Sequence, residues 1–146
     1  MFGAFPFRAY SFMVSFSPDH HWGLEHRAST MIGVGADVFL DPRERMSSLR
    51  LVAHELFHAW NVCSMRPREL VEIDEIGGNF TDGLWVAEGI TRYHEYLLCV
   101  RAGVMDPREL WSNVVNYWKA LEPLPAYRRA SPADSSRATF LNHHRY

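Results

Sequence analysis

The chain has 146 residues, 47% of them hydrophobic and 14% aromatic, enough for one domain with its own core. A net charge of −2 and a pI near 6.4 exclude the basic profile of a nucleic-acid binder or a polybasic membrane surface. No segment is long and apolar enough to cross a membrane as a helix, and Cys63 and Cys99, without C-x-x-C spacing, read as reduced thiols.

In chain order, Met1 to Arg8 is aromatic and lacks the basic and apolar regions of a signal peptide, which leaves the compartment open. Tyr10, Phe12, Val14 and Phe16 alternate with Ala9, Ser11, Met13 and Ser15, a period of two that predicts a half-buried strand. Ser17-Pro18-Asp19 breaks it, and a turn bearing His and Trp runs through Gly23. Met31 to Leu40 predicts a second strand, interrupted at Gly33 and Gly35. Residues 1–40 therefore read as strands.

Asp41-Pro42-x-Glu44 is a helix start, with an N-cap, a proline at N1 and a glutamate at N3. Met46, Leu49, Val52, Ala53, Leu56, Phe57 and Trp60 recur at helical spacing after it. A loop follows over 64–80, marked by Pro67 and Gly77-Gly78. Thr81 or Asp82 then caps a second helix carrying Leu84, Ala87, Ile90, Leu97 and Val100, and Gly103 stops it. Asp106-Pro107-x-Glu109 repeats the start signal for a third helix to Leu121. The tail, 122–146, reads as polar and irregular. Trp60, Trp85, Trp111 and Trp118 fall in helical patterns and are expected in the core. Strands first and helices after (residues 41–121) predict a single α+β domain with segregated layers.

The chemistry is concentrated in His54-Glu55-Leu56-Phe57-His58. Imidazoles four residues apart on a helix project from one face and can share one zinc ion, while Glu55 reaches the water beside it without ligating. Such a centre needs a third ligand, and Ser64 stands where a histidine would mark the metzincin pattern. Downstream, Glu69, Glu72, Asp74 and Glu75 lie in a charged loop and read as solvated. Glu88 sits mid-helix in an apolar, aromatic stretch, where a carboxylate needs a partner. It is the expected third ligand, set against a plain helix-surface glutamate. Glu95, two turns on, is either a residue that orients a ligand or a solvated one. The pairs His20-His21 and His143-His144 are adjacent in sequence, so their side chains diverge; they read as loop residues.

Three separated segments resemble the glycyl aminopeptidase family of zinc metallopeptidases. They are His54 to Val62 with Arg66-Pro67 following, Leu84-Trp85-Val86-Ala87-Glu88-Gly89-Ile90-Thr91-Arg92-Tyr93, and Gly23-Leu24-Glu25-His26-Arg27-Ala28-Ser29-Thr30. The resemblance covers roughly positions 10 to 105. It implies a thermolysin-like (gluzincin) catalytic core with a small N-terminal sheet followed by zinc-bearing helices. It implies one Zn²⁺ per chain on His54, His58 and Glu88, with Glu55 as general base. It also implies that Glu25 pairs with the free α-amine of a peptide.

Trp22 replaces a glycine of the family pattern, and as a crowded wall it would favour small N-terminal residues such as Gly or Ala. His26 is a pocket donor or a structural residue. His94 stands where the family has a second tyrosine. Family members are longer, with an N-terminal β domain, further helices and a PDZ-like domain. The expectation is therefore a partial catalytic domain spanning 1–146, whose oxyanion donor is not evident, since Tyr93 and Tyr96 read as packing residues. The alternative is a catalytically incomplete zinc-binding fragment that acts as a peptide- or domain-binding module.

Overall fold

The structure, a computed structural model, describes residues 3–18, 20–72 and 74–141, with the backbone alone for 140 and 141. Asp19, assigned above to the break after the first strand, and His143-His144 lie outside the described residues.

Among the described residues a three-stranded sheet packs beside four helices, an α+β arrangement. The strands β1 (Ser11–Phe16), β2 (Trp22–Glu25) and β3 (Ser29–Val34) lie in the order β1-β3-β2. β1 runs parallel to β3 and pairs Val14 with Ile32, whereas β2 runs antiparallel and pairs Trp22 with Gly33. Thr30, Ile32 and Val34 alternate toward one face of β3 and are buried there. The helix α1 (Pro42–Phe57) packs against β2 and β3.

Three expectations for this region need correction. The segment read as a turn through Gly23 is the strand β2. The second predicted strand ends at Val34, and a 3-10 turn, Ala36–Phe39, follows it. β1 forms as predicted, but Phe12, Val14 and Phe16 are exposed rather than half-buried. The reason is position: α1 lies over β2 and β3, which leaves β1 outboard at the sheet edge.

Two helix starts follow their capping signals, whereas the stretch expected to be capped by Thr81 or Asp82 begins at Leu84 without a side-chain cap. The Asp41 carboxylate accepts from the Arg43 N–H at 2.8 Å, with Pro42 opening α1. α1 is regular to Phe57, one residue short of His58. A six-residue π-helical segment, Trp85–Ile90, continues into α2 (Thr91–Arg101). Gly103, at φ +74°, ends it in the left-handed conformation that glycine adopts without strain. Asp106 caps α3 (Pro107–Leu121) by accepting from the Arg108 N–H at 2.7 Å.

The tail is not irregular. A 3-10 turn, Pro125–Arg128, leads to α4 (Pro132–Leu141). The buried Ser136 hydroxyl accepts from the Trp85 N–H at 3.0 Å, so α4 docks on the start of the π-helical segment.

The core lies between α1, α2 and the start of α3, around Ala53, Tyr96, Cys99, Met105 and Leu110. Cys63 and Cys99 are unbridged, Cys99 buried and Cys63 half-buried. The tryptophans correct another expectation: Trp85, Trp111 and Trp118 are 48%, 61% and 58% exposed. α3 buries only Leu110 among its side chains, so most of its apolar stripe faces outward.

Candidate functional site

His54 stands in the last turn of α1 and His58 caps its end, so the negative pole of the helix points where a cation would sit. Their rings lie 4.7 Å apart between centroids, nearly perpendicular at 83°. Opposite them the π-helical segment presents Glu88, whose Oε2 is 3.2 Å from His54 Nε2 and 3.8 Å from His58 Nε2. One ligating atom from each of His54, His58 and Glu88 falls within a 4.8 Å span, a set that could hold a metal ion. π-helical turns are uncommon and concentrate at functional sites.

The second nitrogen of each ring is tied down. His54 Nδ1 donates to Glu95 Oε2 at 2.9 Å, and His58 Nδ1 donates to the Asn61 carbonyl at 2.7 Å. Both rings are thereby held with Nε2 toward Glu88. Glu95 is fully buried, and its two oxygens also accept from Arg92 Nη1, each at 3.0 Å. Asn61 does further work through its amide, which donates to the carbonyls of Val86 and Ala87 and to the Thr91 hydroxyl at 2.8, 3.1 and 3.1 Å. It joins the turn after α1 to the segment that carries Glu88.

Glu55 is 4% exposed and, among the described residues, its Oε2 has no hydrogen-bond partner. A carboxylate oxygen buried in this way is costly unless a ligand completes it. Gly23 of β2 faces it so closely that any side chain there would fill the space of the Glu55 carboxylate. Glu25, two residues along β2 and on the same face, sets one oxygen within 4.8 Å of Glu55 and His58 ligating atoms. These three form a second group able to hold a cation. The ring anchoring favours the first, because Glu95 and Asn61 point both histidines at Glu88.

The electrostatics follow from the crowding. Burial works against a charged His54, but hydrogen bonds to Glu88 and Glu95 outweigh it and raise its pKa to about 9. Burial pushes Glu55 up to about 7; His54 opposes the rise, while Glu25, Glu88 and Glu95 add to it. Burial also acts to raise Glu88, yet the His54 hydrogen bond, with His58 and Arg92 nearby, holds it below the usual carboxylate range.

These groups open into a cleft of about 300 Å³ that also takes in His21, Arg50 and Arg92. A larger hollow of about 1080 Å³ lies over the acidic loop near Asp74 and contains none of them. Of the residues expected at the site, His54, Glu55, His58, Glu88, Glu95 and Glu25 come together around this cleft.

Trp22 and His26 do not. Trp22 projects from the other face of β2, lying over Gly33 and edge-on to His20, because adjacent strand residues point to opposite sides. His26 is exposed in the turn after β2 and its ring lies 3.4 Å from the Leu24 carbonyl. His94 stacks on Phe57 with ring centroids 4.3 Å apart. Sequence reading missed Asn61, Arg50 and His21. Helical spacing could have found Arg50, which lies one turn before His54 on the same face.

Two imidazoles, one carboxylate among them and a second carboxylate buried alongside define a class: a candidate mononuclear metal centre with an acid–base group. A family model described as M61 glycyl aminopeptidase matches residues 47–146, and the chain belongs to that family. The chain is also similar to a solved aminopeptidase N family protein from Idiomarina loihiensis, at 27% identity and a TM-score of 0.66. That match covers 72% of this chain and 19% of the other, so the chain spans about a fifth of that protein's length. No curated protein matches it.

Proposed function

We propose that this chain carries the hydrolytic centre of a zinc-dependent aminopeptidase of thermolysin-like architecture that removes small N-terminal residues, Gly or Ala, from peptides. The observation that supports this reading most is the double anchoring of His54 and His58, which aims both Nε2 atoms at Glu88. The donor set fits a divalent cation: the proton bridging His54 Nε2 and Glu88 occupies the place such an ion would take.

His54, His58 and Glu88 would hold the zinc. Bound there, it would supply Lewis-acid polarisation of the scissile carbonyl and lower the pKa of water. Glu55 accepts the proton of the attacking water at its unpartnered oxygen and returns it to the leaving amine. Glu25 pairs with the substrate's α-ammonium, which registers the first peptide bond over the centre and excludes blocked N-termini. Glu95 and Asn61 reach the centre through the imidazoles and act as positioning residues.

The test is hydrolysis of glycyl and alanyl arylamides by the zinc-loaded chain, with Glu55→Gln as control and zinc content measured in both. Turnover lost in the control while zinc stays stoichiometric is the expected result. Zinc-dependent turnover that survives in Glu55→Gln would overturn the role of Glu55, and absence of stoichiometric zinc would overturn the reading as a whole.

A further inference from the structure

Arg50 is the group in the cleft that the chemistry above leaves unused. It lines the same cavity as Glu25, Glu55 and Glu88. Among the described residues it forms no ion pair, and its buried Nε lacks a hydrogen-bond partner. Its Nη1 donates to the Tyr96 hydroxyl at 2.9 Å, and the guanidinium carbon sits 5.2 Å from the centroid of the Tyr96 ring. Burial first, and the neighbouring Tyr117 hydroxyl next, raise the Tyr96 pKa to about 12. Tyr96 therefore fixes the guanidinium without neutralising it. Arg92 also lines the cleft, but its Nη1 is committed to Glu95.

The geometry points to Arg50 as the anchor for the C-terminal carboxylate of a short peptide, which makes di- and tripeptides with both termini free the substrate class of this cleft. The inference rests on the aminopeptidase reading above. Its basis is the polarity of the cavity. Glu25 lies beside Glu55 and His58 at one end, whereas Arg50 stands two helical turns before His58, roughly 12 Å along α1 at about 1.5 Å per residue. Helical side chains lean toward the N-terminus, which carries the guanidinium away from His54 and from the Glu25 end.

An extended peptide advances roughly 3.3–3.6 Å per residue, so one or two residues beyond the scissile bond bring a terminal carboxylate into reach of Arg50. A planar guanidinium with free donors is the side chain suited to a carboxylate. A cavity of about 300 Å³ suits a ligand of that length better than a long chain.

The experiment measures binding to the zinc-loaded Glu55→Gln protein, where turnover does not intervene. The probes are trialanine, its C-terminal amide and N-acetyl-trialanine. Trialanine is expected to bind roughly ten- to a hundredfold more tightly than the amide, as for one charge-assisted contact. Adding Arg50→Met should bring the ratio close to one, and Arg50→Lys should leave it between the two. The ¹⁵Nε resonance of Arg50 should shift with trialanine and not with the amide, which keeps the test decisive even if Arg50→Met fails to fold. Equal affinities for acid and amide, or a preference that persists in folded Arg50→Met, would overturn the proposal. The acetylated peptide separates the two ideas: if it binds as well as trialanine, the amine-binding reading of Glu25 fails while a carboxylate preference stands.

Discussion

His58 is tied to the opposite half of the site through Asn61: the ring donates Nδ1–H to the Asn61 carbonyl at 2.7 Å, and the Asn61 amide donates to the carbonyls of Val86 and Ala87. One residue thus sets the orientation of a candidate ligand and the position of the segment that carries another.

Asn61→Ala should therefore do two things at once. Stability should fall by about 1–2 kcal/mol, because three buried hydrogen bonds are lost while the Thr91 hydroxyl still donates to the Ala87 carbonyl. Zinc affinity should fall roughly tenfold, because the amide that holds the Glu88 segment is lost while the main-chain carbonyl that orients His58 stays in place. Urea denaturation of the metal-free protein gives the first and chelator competition the second. Unchanged zinc affinity would mean that Asn61 is a structural staple alone.

Glu95→Gln keeps an acceptor for His54 but removes a buried charge that also binds Arg92. A folded protein with weaker zinc binding, by roughly tenfold or more, is the expected outcome. The circular dichroism spectrum checks the fold and competition with a fluorescent chelator checks the metal. Wild-type affinity would remove Glu95 from the site.

Gly23→Ala places a methyl group in the space of the Glu55 carboxylate. Arylamide turnover should drop at least tenfold, about 1.4 kcal/mol, while zinc content stays stoichiometric. Loss of zinc together with turnover would show that β2 supports the ligands and not the base.

The pH dependence has a definite sign in the metal-free protein. His54 is raised from 6.5 to about 9, so its stabilising contribution is complete below 6.5 and disappears as pH rises through 9. Glu55 is raised from 4.5 to about 7, so its ionisation between those values also costs stability. Thermal unfolding in excess chelator should therefore show a falling melting temperature from pH 5 to pH 9.5. Zinc must displace the His54 proton, so its apparent affinity should rise over the same range, with proton uptake by the buffer near pH 7. A flat or rising melting temperature would contradict the assigned partners of His54.

Much of this was legible in the sequence because it is local. Asp41 and Asp106 announce their helices through contacts two residues away, and the spacing of His54 and His58 is intrinsic to a helix. What stayed hidden depends on distant chain. β2 spans only four residues and reads as a turn until its pairing with β3 is known. Ser136 holds α4 to Trp85 across the fold, which no local pattern in the polar tail encodes. Trp111 and Trp118 obey helical periodicity, but periodicity says which face is apolar and not what covers it. Trp22 lies away from the cleft for a simpler reason: strand alternation turns it away from its neighbours Gly23 and Glu25.

The contact between Gly23 and Glu55 divides the labour of the site along the chain. On the proposed reading the ligands of a cation come from α1, its following turn and the π-helical segment with α2, whereas the space of the proton-carrying carboxylate is bounded by a strand far upstream. A helical pair lifted out of this protein and grafted elsewhere would carry its ion along and leave its chemistry behind. Any minimal catalyst derived from the fold must include the strand.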